Sequence, residues 1–475
     1  MMSISNTQRS QLYTLITVFF FWGFIAASNG IFIPFCKQHF GLNQFQSQLI
    51  DLTFYGGYFF GSLFLLIYSR LTGFDLINKI GYKKGIILGL IISTIGALCI
   101  VPAVNAGSFV FILGSFCIVA LGFSLQQTSA QPYAVNLGSA QTGAHRLNLA
   151  GGINSLGATL GPIIVSYLLF GELGNSGSAS LASVKSLYFL MAGIFILMAV
   201  FFILTGTENN TEQKNTKQND LGALRYPQLT LGMLAIFVYV GVEVTIQSNM
   251  GALLKLPEFG AFDNAQISPY ISLYWGSLMI GRWMAAVSAF DLKGNTRHLL
   301  SIIVPFIAFG LVLFVNYLNK NDISNMHWYV LPIVAMIAIN FLTKEKQTQA
   351  LVFFSLFGLI AMLVGMMCTG QVALYAFISG GLACSVLWPC IFSVAINGLG
   401  EYTSQGSSFL IMMIVGGAVI PPLQGFMADQ PEIGIHASYM ITVFCFMYLA
   451  FYGLKVRSIL HKQGLKADPD VVAAH

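Results

Sequence analysis

Apolar runs of about 15 to 28 residues recur along nearly the whole chain, separated by short polar breaks. Runs of this length suit helices crossing the ~30 Å hydrocarbon core of a bilayer. Strand-sized segments of alternating polarity are absent, which excludes an outer-membrane barrel. The runs fall at 11–35, 47–70, 85–102, 108–135, 147–170 and 186–204, then at 229–253, 267–290, 298–317, 328–342, 350–367, 373–396, 407–427 and 438–454. A polar stretch, TENNTEQKNTKQND, separates the first six from the last eight and has the composition of a linker. The first run is too long for a signal-peptide core, contains Asn29 and Pro34 and lacks a small-residue cleavage site, so it is expected to be a retained first helix.

Six helices before the linker and eight after it are reconciled by internal similarity. Tyr55 and Gly57 in YGGYFFG match Tyr274 and Gly276 in YWGSLMIG, an offset of 219 residues. Gly157 and Pro162 match Gly416 and Pro421 with an offset of 259, and Pro132 matches Pro389 with an offset of 257. The register slips by about 40 residues, which is two spans of roughly 20. The fold expected is therefore an all-α polytopic membrane protein of two parallel six-helix bundles, with a helical hairpin inserted in the second, about 14 spans in all. Parallel repeats of this kind are the signature of the major facilitator fold. The boundaries expected are a first bundle at 1–206, a linker at 207–228, a second bundle at 229–457 with its inserted hairpin at about 298–343, and a tail at 458–475.

Charge fixes an orientation. With the N-terminus inside, seventeen of the 22 Lys and Arg fall in cytoplasmic segments or their flanks, and only Lys37, Lys185, Lys255 and Lys320 fall outside. The positive-inside rule then places both termini in the cytoplasm of a plasma (inner) membrane protein. An even number of inserted spans is needed to keep the basic C-terminal tail inside. The net charge of +5 is dispersed over these loops and forms no patch for nucleic acid.

Only 8% of residues are charged against 56% hydrophobic, with a mean hydropathy of +0.76. Against that background, Asp51 and Glu243 are the two carboxylates that fall within spans. An acid in hydrocarbon is costly unless it faces a cavity, a partner or an ion path, so both are candidates for energy coupling. Amides, aromatics and helix breakers mark a candidate solute path: Asn29, then Gln126, Gln127 and Gln131 ahead of Pro132, then Asn154, then Glu243 itself with Gln247 one turn beyond it, and Trp388. Amides donate and accept hydrogen bonds while aromatic faces stack on sugar C–H surfaces, so this mixture suits a neutral polyhydroxylated solute. Each amide also has a plainer reading as an interhelical hydrogen bond. Arg282, late in its span, is expected to partner a cytoplasmic loop or a helix end. Seven cysteines without metal-ligand spacing read as small packing residues, and no His falls mid-span, so no metal or other cofactor is expected beyond a coupling Na+ or H+.

The pieces FQSQLIDLTFYGGYF, KIGYKKG, LQQTSAQPYAVNLG, HRLNLAGGINSLG, YVGVE, GRW, WPCIFSVAINGLG and QGSSFLIMMIVGGAVIPP occur in the order and spacing of a known family. In them the chain resembles the fucose/galactose/glucose permease family of the major facilitator superfamily, in its glucose/galactose transporter branch. The resemblance implies that Asn154 lines a sugar cavity and that the GYKK loop at 81–84 belongs to a conformational latch. It also exposes departures. Gly30 and Gln127 stand where the fucose–proton members have an Asp and a Glu for coupling, and Gln131 stands where the family has Asn. Asp51 and Glu243 are left to supply charge from new positions. The expected function is cation-coupled import of a hexose by a monomer in the lipid bilayer. A passive sugar uniporter and an exporter of another metabolite or drug stand as alternatives, and no nucleophile–base constellation suggests an enzyme.

Overall fold

The computed structural model describes residues 6–41, 44–138, 143–170, 181–205, 221–262, 264–290, 292, 294–319, 322–343 and 346–465. Every regular element among them is helical. Ten helical segments are long and apolar enough to cross a membrane, and Ser10–Ala26 and Met326–Leu342 are shorter apolar helices. Large apolar side chains such as Phe64, Leu71, Val110, Leu197 and Phe426 lie exposed, while Gln126, Ser124 and Arg146 are fully enclosed. That distribution inverts a soluble protein's and suits hydrocarbon as the surrounding solvent.

The chain divides into two units, Met1–Gly138 with Leu156–Tyr226 and Leu399–Val415, and Ser139–Ser155 with Pro227–Gly398 and Gly416–His475. The first contains α1 (Asn6–Phe40), α2 (Gln44–Thr72), the short α3 (Leu76–Ile80), α4 (Tyr82–Asn105) and α5 (Phe109–Asn136). Next come α6 (Gly143–Phe170), which contributes to both units, and α7 (Leu181–Leu204). Within this unit α4 packs along α5 and α7, and α2 along α5. Gly157 on α6 lies directly on the Phe20 carbonyl of α1, an approach that leaves no space for a Cβ. Small residues that let backbones meet in this way are how helices associate in lipid, where burial of apolar surface provides no net drive.

The second unit contains α8 (Pro227–Ser248), α9 (Met250–Leu254), α10 (Asn264–Ala286), α11 (Gly294–Leu318), α12 (Val330–Leu342) and α13 (Gln347–Met367). It continues with α14 (Gly370–Cys384), α15 (Leu387–Ala395), α17 (Gly416–Ala428), α18 (Gly434–Ser438) and α19 (Met440–Lys462), while α16 (Thr403–Met412), between α15 and α17 in the chain, belongs to the first unit and packs there on α2 and α5. Here α13 packs along α14 and α19, and α10 along α14. The order repeats that of α4, α5, α7 and α2. Gly416 lies on the Phe237 carbonyl of α8 as Gly157 lies on that of Phe20. α11 packs on α10, where Val312 fills the space at Gly276, and α12 packs on α14 and α13.

Three spans read as continuous from the sequence are broken. α8 gives way to α9 at Asn249, α14 to α15 at Ser385–Val386, and α16 to α17 through a 3-10 turn at Met413–Val415. Periodicity does not register such breaks, because the apolar pattern runs on through them. A break frees backbone carbonyls for other partners, which is tolerated at membrane depth only inside protein or along a cavity.

Candidate functional site

The polar residues of the first unit separate into two sets on α5. Gln126 and Gln127 are adjacent, so they leave the helix about 100° apart. Gln126 is fully buried. Its Oε1 accepts from Trp22 Nε1 at 2.8 Å and its Nε2 donates to Ser93 Oγ at 3.0 Å. Both ends of the amide are engaged within the helices, so Gln126 braces α1, α4 and α5. This corrects the expectation that it faces solute. Gln127 is half-buried and donates to Tyr58 Oη at 3.0 Å, while its Oε1 accepts from Gln131 Nε2 at 3.2 Å, one turn on. Tyr58, Gln127 and Gln131 thus form a neutral chain of hydrogen bonds. The side chains of Asn29 and Asp51 lie outside the described part of the structure.

The second unit holds a charged cluster. Glu243 on α8 is four residues beyond Tyr239, and Tyr239 Oη donates to Glu243 Oε1 at 2.8 Å. Arg282 on α10 donates through Nη2 to the same carboxylate oxygen at 3.0 Å. Its Nη1 reaches Ser155 Oγ on α6 at 2.8 Å, and its Nε donates at 3.3 Å to the carbonyl of Ser385, at the α14–α15 break. The broken helix therefore supplies an acceptor that a continuous one would have used internally. Arg282 is a partner of a span-embedded acid, not of a loop or helix end, which corrects the expectation drawn for it. A lone buried carboxylate costs several kcal/mol, so the acid and the base are best understood as one group. The exposures of the Arg282 and Glu243 side chains are 12% and 14%, low enough to strengthen the pair and high enough to leave it in reach of water.

Packing holds this cluster in place. Tyr274 Oη donates to the Glu243 backbone carbonyl at 2.6 Å, and Trp283 Nε1 donates to the Gly152 carbonyl at 3.0 Å. The half-buried Trp388 ring sits 5.8 Å from that of Tyr239. Gln247, half-buried, lies one turn past Glu243, and Asn154, also half-buried, precedes Ser155 on α6. At the α8–α9 break, Asn249 Nδ2 donates to Gln424 Oε1 at 2.7 Å and Gln424 Nε2 donates to Ser438 Oγ at 3.2 Å.

Sequence reasoning passed over Tyr58, Tyr239, Tyr274, Ser155 and Arg282 as site residues. Signals for two of them were present. Tyr239, Glu243 and Gln247 share one helical face at four-residue spacing, and Arg282 lies two turns from Tyr274 on another. Among the described residues no group of His, Cys, Asp or Glu is placed to hold a metal ion.

Paired charges inside a bundle of apolar helices, with packing repeated in two units, are the features that a membrane-embedded solute carrier needs. The chain belongs to the Major Facilitator Superfamily, whose family model matches residues 14–343. It is 31% identical over 446 residues to the glucose/galactose transporter of Brucella abortus biovar 1 (strain 9-941), covering 93% of each chain. It is 32% identical over 467 residues to a putative glucose/galactose transporter of Helicobacter pylori (strain J99 / ATCC 700824), covering 96% of this chain and 98% of that one. The fold is that of the E. coli fucose:proton symporter FucP, with a TM-score of 0.71 over 95% of this chain and 99% of that chain at 22% identity.

Proposed function

We propose that the chain imports a hexose of the glucose/galactose type by cation-coupled symport with alternating access. The observation that carries the coupling is the Glu243–Arg282 pair, buried and hydrogen-bonded to Tyr239 and Ser155. Neutralising Glu243 breaks the ion pair and releases the guanidinium to other acceptors, so loading the acid rearranges the whole cluster. Arg282 already occupies the seat 3.0 Å from the carboxylate. A sodium ion there meets a like charge at contact distance, whereas a proton binds the acid directly, so the geometry favours H+ at Glu243. Asp51 stays the candidate for a second coupling site. The residues kept as candidates for hexose contact are Gln127, Gln131, Asn154, Gln247 and Trp388, each half-buried or buried within its own unit, with Gln126 positioning α5. Asn29 completes the set expected from the sequence.

The same reading takes the protein as an inner-membrane monomer with both termini cytoplasmic and about 14 spans. In it α11 and α12 form the inserted pair, because α13, not α11, packs on α14 and α19 as α4 packs on α5 and α7. One observation favours passive facilitation instead. A carboxylate already neutralised by arginine has no need of a coupling ion.

Uptake of labelled glucose and galactose into proteoliposomes, under an imposed pH gradient or an imposed sodium gradient, separates these readings. Accumulation above the outside concentration driven by pH, and lost in Glu243→Gln, is the expected result. Equilibration insensitive to both gradients identifies a uniporter and overturns the coupling.

A further inference from the structure

One side of the pair α11–α12 is exposed and apolar, with Ile303, Ile307 and Phe314 on α11 and Leu331 and Val334 on α12. The other side is bound to α10 and α14. From α11, Asn316 Nδ2 donates to Ser272 Oγ at 3.0 Å, and Val312 fills the space at Gly276, one turn on. At the start of α12 the fully buried Tyr329 holds its hydroxyl 2.8 Å from Ser277 Oγ. Ser277 gives its own hydrogen to the Leu273 carbonyl at 2.7 Å, so Tyr329 is the donor in that contact. Ser379 on α14 is a second hydrogen-bonding neighbour of the Tyr329 side chain. In return, Tyr375 Oη of α14 donates at 2.6 Å to the Asn325 carbonyl, just ahead of Tyr329. Further along α12, the buried Met336 lies with Ser385 against Gly281, where a Cβ would meet both.

These contacts use two stripes of α10, and the charged cluster uses a third. Ser272 and Gly276 meet α11, Ser277 and Gly281 meet α12, and Tyr274 and Arg282 reach Glu243. Gly281 and Arg282 are neighbours in the chain. The missing side chain at Gly281 lets Ser385 come close to α10, and the Ser385 carbonyl there accepts from Arg282 Nε at 3.3 Å.

We infer that α11–α12 is a positioning clamp for the Glu243–Arg282 pair, with Tyr329 and Met336 as its positioning residues. Tyr329 ties α10 to α14 through Ser277 and Ser379, and Met336 fills the space where α10 meets the α14–α15 break. A buried ion pair repays its desolvation only while its geometry is good. A shift of α10 against α14 therefore weakens the pair although neither charge is touched. The role in transport rests on the proposed coupling at Glu243; the clamping of the pair does not.

The test melts the purified full chain in detergent as wild type, Tyr329→Phe, Glu243→Gln and the double variant. Tyr329→Phe keeps the ring and leaves Ser277 bonded to the Leu273 carbonyl, so the chain is expected to fold. Its melting point is expected to drop, and by at most about half as much once Glu243→Gln has removed the ion pair. Tyr452→Phe is the control, because it removes an equally buried hydroxyl, bonded at 3.1 Å to the Gln228 carbonyl near the other end of α8. It is expected to lose the same amount in both backgrounds. Equal losses for Tyr329→Phe in the two backgrounds, no loss in either, or the same non-additivity for Tyr452→Phe overturns the inference. If Tyr329→Phe does not fold, Met336→Ala carries the same cycle, with Met336→Leu expected to restore the wild-type value; an additive loss there overturns the inference as well. In proteoliposomes Tyr329→Phe is expected to lower pH-driven accumulation of labelled glucose at least about threefold, with the half-saturating glucose concentration unchanged. Accumulation at the wild-type level overturns the clamp's role in coupling. A wild type that accumulates no sugar defeats the transport reading instead, and the melting cycle still decides the clamp.

Discussion

The two units share a scaffold and differ in chemistry. In the first, α4 lies along α5 and α7, and in the second α13 lies along α14 and α19. Gly157 on the Phe20 carbonyl is matched by Gly416 on that of Phe237. The described interior of the first unit's spans is joined by neutral groups, Trp22–Gln126–Ser93 and Tyr58–Gln127–Gln131. The second carries an ion pair with three further hydrogen-bonding groups around its guanidinium. Neutral hydrogen bonds lose or gain a partner at about 1 kcal/mol, whereas breaking a buried ion pair costs several times more. In the described parts of its spans, a repeated backbone thus holds neutral hydrogen bonds in one unit and an ion pair in the other.

The shared scaffold is broken most sharply at the two glycines. A methyl group at either position collides with a backbone carbonyl, which cannot move aside as a side-chain tip can. Gly157→Ala and Gly416→Ala are each expected to cost at least about 3 kcal/mol, the upper end for overpacking. Thermal unfolding of the detergent-solubilised protein is the measurement. Gly193→Ala on α7 and Gly425→Ala on α17 meet nothing within 4 Å and serve as controls. They are expected to gain up to about 1 kcal/mol from helix propensity. If Gly157 tolerates alanine and Gly416 does not, the two contacts are not equivalent and the repeat in packing fails.

The difference in chemistry is sharpened by a double-mutant cycle. Glu243→Gln leaves Arg282 buried without its acid, and Arg282→Gln leaves the acid alone, each costing about 3–5 kcal/mol. The double variant is expected to recover most of that stability while remaining inactive in gradient-driven uptake. Additive losses would mean that the two residues act apart.

Much of this was legible in the sequence, and what was not has identifiable physical causes. Span-length apolar runs, the slip of about 40 residues between repeats and the two embedded acids are linear properties, readable without coordinates. The glycine pair at 157 and 416 was visible as a match, though not the Phe20 and Phe237 carbonyls that explain it, because those lie more than a hundred residues away in the chain. Gln126 and Gln127 look alike as letters, and only the rotation of α5 decides which is enclosed. Arg282 was misjudged by its distance from the span end, since proximity to an interface weighs less than an acid within reach. The break at Ser385 had a signal that apolar periodicity does not weigh, because Pro389, four residues on, has no N–H for the Ser385 carbonyl, whereas at Asn249 the apolar pattern runs on.

The smallest effect expected concerns a connection that the units do not share. The first unit passes from α2 to α4 through α3, whose N-cap is Asp75, whereas the second leaves α10 through a 3-10 turn at Val287–Ala289. Asp75 Oδ1 accepts from the Asn78 amide at 2.9 Å and from Ser404 Oγ on α16 at 2.9 Å, within the same unit. Burial pushes its carboxyl above the usual range, and these hydrogen bonds oppose that shift without cancelling it. A raised carboxyl means that the folded state holds the proton more tightly than the unfolded chain. Its contribution is fully present below the unfolded value near ~3.9 and is lost as pH rises through the folded value. Asp75→Asn keeps an acceptor for both donors and removes the ionisation. It is expected to melt above wild type at neutral pH, with the gap closing toward pH 4. Asp75→Ala loses the cap as well and is expected to fall about 1 kcal/mol below the Asn variant at every pH. Melting curves of the three proteins across that range decide the matter. A wild type more stable than Asp75→Asn at neutral pH would show that the ionised carboxylate, not its neutral form, stabilises this connection.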